Sequence, residues 1–116
     1  MRLKLIVALV EDDRTDRIIE VARTGGATGA TVITGVRGEG LKPESTFFGL
    51  DLTGRRDVVL LLVAASRSRQ ILEAIRDSGC FETEPGAGIA FQVDIEDAVG
   101  LNTQISALMH ELEEDI

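Results

Sequence analysis

The apolar positions of this sequence fall into blocks with strand-like spacing. RLKLIVALV (residues 2–10) and ATVITGVRG (residues 30–38) are rich in β-branched residues and predict the first two strands. DVVLLLVAA (residues 57–65) is the most continuous apolar run and predicts a buried third strand, and IAFQVDI (residues 89–95) predicts the fourth. Gly35 interrupts the second strand, which indicates a bulge or a close backbone approach.

Segments with helical spacing of apolar residues lie between these strands in two places, and a third such segment follows the last strand. DRIIEVARTGG (residues 16–26) places its apolar residues on one face, behind capping-type residues and ahead of two glycines that end the helix. ILEAIRDSG (residues 71–79) continues a second helix that a serine can cap. Residues 103–116 predict a C-terminal helix, because Ile105, Leu108, Met109 and Leu112 recur at helical intervals.

The order β-α-β-β-α-β with an added C-terminal helix predicts one α+β domain over residues 1–116, a ferredoxin-like sandwich. Both helices should cover one face of an antiparallel sheet, because each crossover is right-handed. The opposite face would then expose apolar strands, so we expect a homo-oligomer. Residues 39–56 form a long connection between strands, and such connections are usually functional or mobile.

Composition excludes several classes of function. The net charge of −8 argues against nucleic acid as a partner, and the single His110 has no neighbouring ligand spacing for a metal site. No apolar run is long enough for direct membrane insertion, and acidic residues cut off the first one, so we expect no signal peptide and a cytoplasmic location. No catalytic motif is present, which predicts that the protein is not an enzyme.

The order and spacing of these segments resemble those of the P-II signalling proteins. The resemblance rests on TGVRGEG (residues 34–40), ILEAIRDSG (residues 71–79) and VDIEDAVGLNT (residues 93–103). Gly38 and Gly40 reproduce the G-x-G that ends strand 2 in that family. The run IEDAV after strand 4 reproduces its pattern of two acids between hydrophobic residues.

The resemblance implies a homotrimer that binds adenine nucleotides in clefts between subunits. The long loop after strand 2 (the T-loop, residues 39–56 here) and the loop before strand 4 (the B-loop, residues 81–88) would line those clefts. The T-loop would change shape with the ligand and block or release a protein partner, often a membrane transporter or an enzyme. The nucleotide- or anion-binding residues would be Arg37, Gly38, Gly40, Lys42, Gly86 and Gly88. The partner-binding residues would be Phe47, Phe48, Arg55 and Arg56.

Plainer interpretations of these residues remain open. Gly86 and Gly88 follow a proline and can simply turn the chain. The two phenylalanines can pack back on the domain, and the two arginines can be solvated charges at the start of strand 3.

The sequence departs from the family where the phosphates would bind. Ile89 stands in the place of the B-loop lysine, Gly100 and Asn102 stand in the places of two arginines, and Lys42 replaces a glutamine. Each charge-assisted contact is worth about 1.5–3 kcal/mol, so these losses lower the affinity for ATP. The residues left suit AMP, ADP, a cyclic nucleotide or a bicarbonate-like anion, and we expect no other cofactor.

Three functions follow from these observations. The first is a P-II-like sensor that regulates a partner, which the retained glycines and the long loop favour. The second is a structural or assembly trimer that has lost nucleotide sensing, which the missing cations favour. The third is a small ferredoxin-like enzyme of the acyl-phosphate-hydrolysing or isomerase kind, which would need an arginine and an asparagine, or a histidine, in the first loop or strand 2.

Overall fold

The structure, a computed structural model, describes residues 2–36, 55–84, 86–101 and 103, and it confirms the predicted order of elements. The predicted C-terminal helix lies outside these residues except for Thr103. The elements are β1 (Leu3–Glu11), α1 (Thr15–Thr24), β2 (Thr31–Val36), β3 (Arg56–Ala64), α2 (Ala65–Gly79) and β4 (Gly88–Asp94).

The four strands form one antiparallel sheet in the order β2-β3-β1-β4, as the ferredoxin-like prediction requires. The central strand β1 pairs with β3 along its whole length and with β4 from Lys4 to Val10. The pairing of β2 with β3 shifts register between Ile33 and Val36. Gly35 lies within this shift at a φ of 67°, which confirms the predicted bulge.

Helices α1 and α2 cover one face of the sheet, and the core lies between them and the strands. Every second residue of β1 and β3 points into it, as the two-residue period of a strand requires. α1 and α2 add apolar residues at helical spacing from the other side. The buried cluster consists of Ile6, Ala8, Val10, Ile18, Ala22, Ala27, Val59, Leu61, Val63, Ile71 and Ile75.

The prediction that side chains cap the two helices is wrong. The N-cap residues are Arg14 and Ala64, and neither makes a side-chain cap hydrogen bond. α2 begins directly where β3 ends, so no serine precedes it, and the Ser68 hydroxyl donates to the Ala65 carbonyl instead, at 2.9 Å. The Thr15 hydroxyl is likewise engaged elsewhere, as described below.

The second face of the sheet is apolar, and no described element packs over it. It presents the alternate residues of all four strands, and Ile33, Phe91 and Val93 are 48%, 46% and 41% exposed. We call this surface the open face. Strand pairing assigns to it Leu5, Val7, Leu9, Ile33, Val58, Leu60, Leu62, Ile89, Phe91 and Val93.

An ion pair at the end of β4 predicts a pH-dependent contribution to stability. The Lys4 Nζ lies 2.7 Å from Asp94 Oδ1, and this hydrogen bond lowers the pKa of Asp94 below 3.8, with a smaller effect from Arg2. Because the folded-state pKa is depressed, the stabilisation is present above the unfolded-state pKa and is lost as the pH falls through the folded-state value. We expect Lys4→Met to raise the pKa of Asp94, measured by an NMR titration of its carboxyl carbon.

Arg2→Met is the matched control, because its guanidinium lies 3.2 Å from the same oxygen but is the lesser cause. It should raise the pKa of Asp94 by less than Lys4→Met does. An unchanged pKa in Lys4→Met would show that this ion pair does not form in solution.

Candidate functional site

The end of the predicted T-loop is attached to the connection between β1 and α1. The Asp12 N–H donates to the Arg55 carbonyl at 3.2 Å, and Arg56 Nη1 lies 3.3 Å from Glu11 Oε1. Arg55 is exposed, whereas Arg56 is only 3% exposed. The side chain of Arg56 is therefore packed within the fold of the single chain, and the expectation that Arg55 and Arg56 meet a partner stays a prediction. Arg55 is accessible to one.

A buried hydrogen bond fixes the same end of β3 to α1. The Thr15 hydroxyl donates to Asp57 Oδ2 at 2.7 Å, and both residues are buried. A buried carboxylate is costly unless it is hydrogen-bonded, so this contact compensates for the burial of Asp57. Together with the contacts of Glu11 and Asp12, it determines where the chain re-enters the sheet after the T-loop.

The predicted B-loop begins where α2 ends in a left-handed turn. Cys80 has a φ of 57°, and the loop then folds on itself through the Glu84 N–H to the Cys80 carbonyl (3.0 Å) and the Ala87 N–H to the Glu84 carbonyl (3.2 Å). Gly86 has a φ of 75°, so it does turn the chain, as the plainer interpretation proposed. The Ala87 N–H is already bonded within the loop, which leaves fewer backbone donors for an anion.

Gly88 starts β4 opposite Val10 and lies against the ring of Phe81. A Cβ added at Gly88 would lie 2.5 Å from Phe81 Cε1 and 2.8 Å from the carbonyl oxygen of Leu9. A Cβ added at Gly79 would also collide with this ring. The two glycines thus allow Phe81 to pack across the end of α2 and the start of β4, which is a structural role that spacing alone did not reveal.

Arg14 connects α1 to both the end of α2 and the B-loop. Its Nη1 donates to the Gly79 carbonyl at 2.6 Å, and its Nη2 donates to Glu84 Oε2. The hydrogen bond to Glu84 raises the pKa of Arg14 above its ordinary value. Sequence analysis missed this residue, because a link across 65 or 70 positions leaves no local pattern.

A cavity of about 530 Å³ that is widely open to solvent lies on the open face, beside the segment between α1 and β2. Its apolar wall consists of Leu5, Leu60 and Leu62, and the remaining lining comes from residues 28–31, TGAT. None of the lining residues is charged. Sequence analysis did not identify this cavity; the only signal was a run of small residues directly after the glycines that end α1.

A smaller cavity, of about 230 Å³, lies between α2 and β4. Arg69 and Arg76 line it, but each is paired with a neighbouring acid: Arg69 with Glu73 and Arg76 with Asp77. The hydrogen bond that Arg76 Nε donates to Asp77 Oδ1 raises the pKa of Arg76. Glu73 and Glu82 also line the cavity, so its charges balance and it does not resemble an anion site.

Several predicted site residues lie outside the described part of the chain. They are Arg37, Gly38, Gly40, Lys42, Phe47 and Phe48. Within residues 2–36, 55–84, 86–101 and 103, no group of three or more histidine, cysteine, aspartate or glutamate residues is arranged to hold a metal ion. No helix among the same residues is long and apolar enough to cross a membrane.

Comparison with known proteins identifies the family. The sequence model of the family described as nitrogen regulatory protein P-II matches residues 3–104. The chain belongs to the P-II family. Among curated proteins, no relative matches significantly.

Solved structures share the fold at low sequence identity. A PII-like signalling protein from Thermus thermophilus is 24% identical, with a TM-score of 0.59 over 82% of this chain and 87% of that one. CPII from Thiomonas intermedia, a nitrogen regulatory PII-like protein, is 18% identical in its apo form, with a TM-score of 0.64 over 82% and 90%. CPII bound to ADP, AMP and bicarbonate is 18% identical, with a TM-score of 0.62 over 84% and 94%.

The close packing at Gly88 predicts that this position does not tolerate a side chain. We expect Gly88→Ala to lower the free energy of unfolding by about 1–3 kcal/mol, because the backbone oxygen of Leu9 cannot move aside as a side chain can. Gly29→Ala is the matched control, since a Cβ there meets nothing within 4 Å. Urea denaturation of both variants measures the difference. Equal stability of the two would contradict the packing described for Phe81 and Leu9.

Proposed function

We propose that this protein is a homotrimeric P-II-type signalling protein whose ligand is an adenine nucleotide with few phosphates, or a bicarbonate-like anion. The ligand binds in clefts between subunits and controls a protein partner through residues 39–56. The observation that carries the proposal is the cavity of about 530 Å³ on the open face. Its position makes a ligand there accessible to a second copy of the chain.

The cavity suits the nucleoside part of such a ligand. Small-molecule sites usually have volumes of about 300–1,000 Å³, with mostly apolar walls and a few polar groups that orient the ligand. Here Leu5, Leu60 and Leu62 offer a surface for a planar base, and Thr28 and Thr31 supply hydroxyl groups. Because the lining carries no charge, the phosphates would lie elsewhere.

The elements proposed to hold the phosphates lie toward the other end of the sheet. Gly88 pairs with Val10, whereas the cavity is at Leu5 on the same strand, five residues away or about 17 Å along an extended chain. A neighbouring subunit on the open face can bring its own B-loop toward the cavity. This arrangement supports a site that is completed only between subunits.

The charge of the B-loop supports a ligand with few phosphates. Its described residues include Glu82 and Glu84, and Ile89 occupies the position of the family's lysine. Backbone donors and a few cations are adequate for a small anion but compensate poorly for the charge of ATP. CPII, which shares the fold, was solved with ADP, AMP and acetate, and with ADP and bicarbonate.

Ligand binding is tested by calorimetry and thermal denaturation with AMP, ADP, ATP, cyclic AMP and bicarbonate. We expect at least AMP or ADP to bind, with about 2.7 kcal/mol of stabilisation at 100 times the dissociation constant. Gly29→Val should weaken nucleotide binding by about tenfold, because Gly29 lines the cavity and a larger side chain there would reduce its volume. Gly29→Ala, the smaller change at the same open position, should weaken it less.

Gly29→Ala should unfold at the wild-type temperature without ligand, because a Cβ at this position meets no neighbour within 4 Å. The melting temperature of Gly29→Val without ligand shows whether the larger side chain disturbs the fold. Wild-type affinity in Gly29→Val would contradict the assignment of the cavity. The absence of stabilisation by every ligand in the series would reject the sensing function.

Assembly is tested on the open face itself. We expect light scattering of the wild type to give three times the mass of one chain, and Phe91→Lys to give a monomer with unchanged circular dichroism. The reason is that Phe91 is half exposed in the single chain and would be buried in the trimer. Glu20→Gln, which makes the same change in charge on the exposed side of α1, is the control. A monomeric wild type would reject the intersubunit site.

A second candidate is an assembly trimer without a ligand. The acidic B-loop and the bonded Ala87 N–H favour it, because both weaken an anion site. In this case the trimer forms but no nucleotide stabilises it.

Under both proposals the protein acts in the cytoplasm and catalyses no reaction. It contacts its partner, such as a membrane transporter, through the T-loop with Phe47, Phe48 and Arg55.

A further inference from the structure

We infer that Arg14 is the positioning residue of the B-loop and that it neutralises Glu84, so that the loop can accept an anion. This inference rests on the proposed nucleotide- or anion-binding function. Arg14 itself does not contact the ligand. It acts on Glu84, two residues before Gly86, which is the first glycine of the proposed phosphate-binding turn.

The geometry of the guanidinium group supports this role. One Nη donates to the Gly79 carbonyl at the end of α2, and the other donates to the Glu84 carboxylate. A planar guanidinium with several fixed donors can make both contacts together, whereas a lysine ammonium on its flexible stem positions two acceptors less well. The C-terminal end of a helix also carries partial negative charge, which favours a cation beside Gly79.

Arg14 is itself held firmly by the backbone. Its N–H donates to the Glu11 carbonyl at 2.9 Å, and its carbonyl accepts the N–H of Ile18 at 3.1 Å. Three-quarters of its side chain is shielded from solvent, whereas about half of the Glu84 side chain is exposed. The loop residue is therefore the adaptable partner, and the arginine sets its position.

The electrostatic consequence concerns the proposed ligand. An unpaired carboxylate at Glu84 would lie close to any anion bound at residues 86–88 and would repel it. The ion pair with Arg14 cancels most of this charge and holds the carboxylate at the α1 side of the loop. Loss of Arg14 should thus weaken anion binding both by freeing the loop and by restoring the charge of Glu84.

The test compares ADP affinity by calorimetry in the full-length chain. Arg14→Met should weaken ADP binding by about tenfold, and Arg14→Lys should lie between it and the wild type. Arg14→Met combined with Glu84→Gln should regain most of the lost affinity, because the repelling charge is gone. The defect of Arg14→Met should also shrink as salt is raised, since ions screen a charge near the surface.

Arg17→Met is the matched control. Arg17 Nε donates to Ser78 Oγ at 2.9 Å, so this arginine also joins α1 to the end of α2. Among the described residues Arg17 makes no hydrogen bond or ion pair with the B-loop, so its loss should leave ADP affinity unchanged. Melting temperatures without ligand show whether either variant is destabilised as a whole.

The outcomes separate this inference from the proposed function. If the wild type binds no ligand of the series, which includes AMP, ADP and bicarbonate, the proposed function fails before Arg14 is at issue; if it binds another of these ligands but not ADP, the same variants are compared with that ligand. If the wild type binds and Arg14→Met binds equally well, Arg14 does not position the loop. If the double variant binds ADP as weakly as Arg14→Met does, the neutralisation of Glu84 is refuted and Arg14 has only a structural role. The same conclusion follows if Arg17→Met binds ADP equally weakly.

Discussion

The structure depends on one central strand with apolar side chains on both faces. β1 directs Ile6, Ala8 and Val10 toward the helices, and it directs alternate leucine and valine residues to the opposite side. The two helices bury only the first set of side chains. Because burial of apolar surface is the main driving force of folding and association, the second set is the basis for proposing that further protein surface covers this face.

A short connection after β1 contacts the ends of both proposed functional loops. The Asp12 amide is bonded to Arg55 at the end of the T-loop, and two residues later Arg14 is bonded to Glu84 in the B-loop. The first turn of α1 is fixed in addition by the buried contact of Thr15 with Asp57. The bases of the two loops therefore share one support, although the loops are separated in sequence by β3 and α2. A displacement of one base would strain contacts of the other.

Sequence periodicity was sufficient for the fold and insufficient for the site. The two-residue period of strands and the glycines at helix ends reflect local backbone geometry, which is determined by residues close together in sequence. The bulge at Gly35 is another feature determined locally. The prediction of a side-chain cap for α1 is wrong because the Thr15 hydroxyl bonds to Asp57, 42 positions away, rather than to the backbone of its own helix. The burial of Arg56 and the bonds of Arg14 are also long-range. Such contacts are determined by tertiary packing, which a local pattern does not contain.

The distribution of charge limits how such a protein can distinguish ligands. If the uncharged cavity on the open face provides most of the binding energy, ligands that share a nucleoside bind with similar strength whatever their phosphates. Discrimination by phosphate number then requires cations, and Arg14 is already paired with Glu84. The cations closest in sequence to the start of the T-loop are Arg37 and Lys42. Recognition of phosphate would thus depend on the same segment that carries the signal, so a change in ligand would act on the T-loop directly.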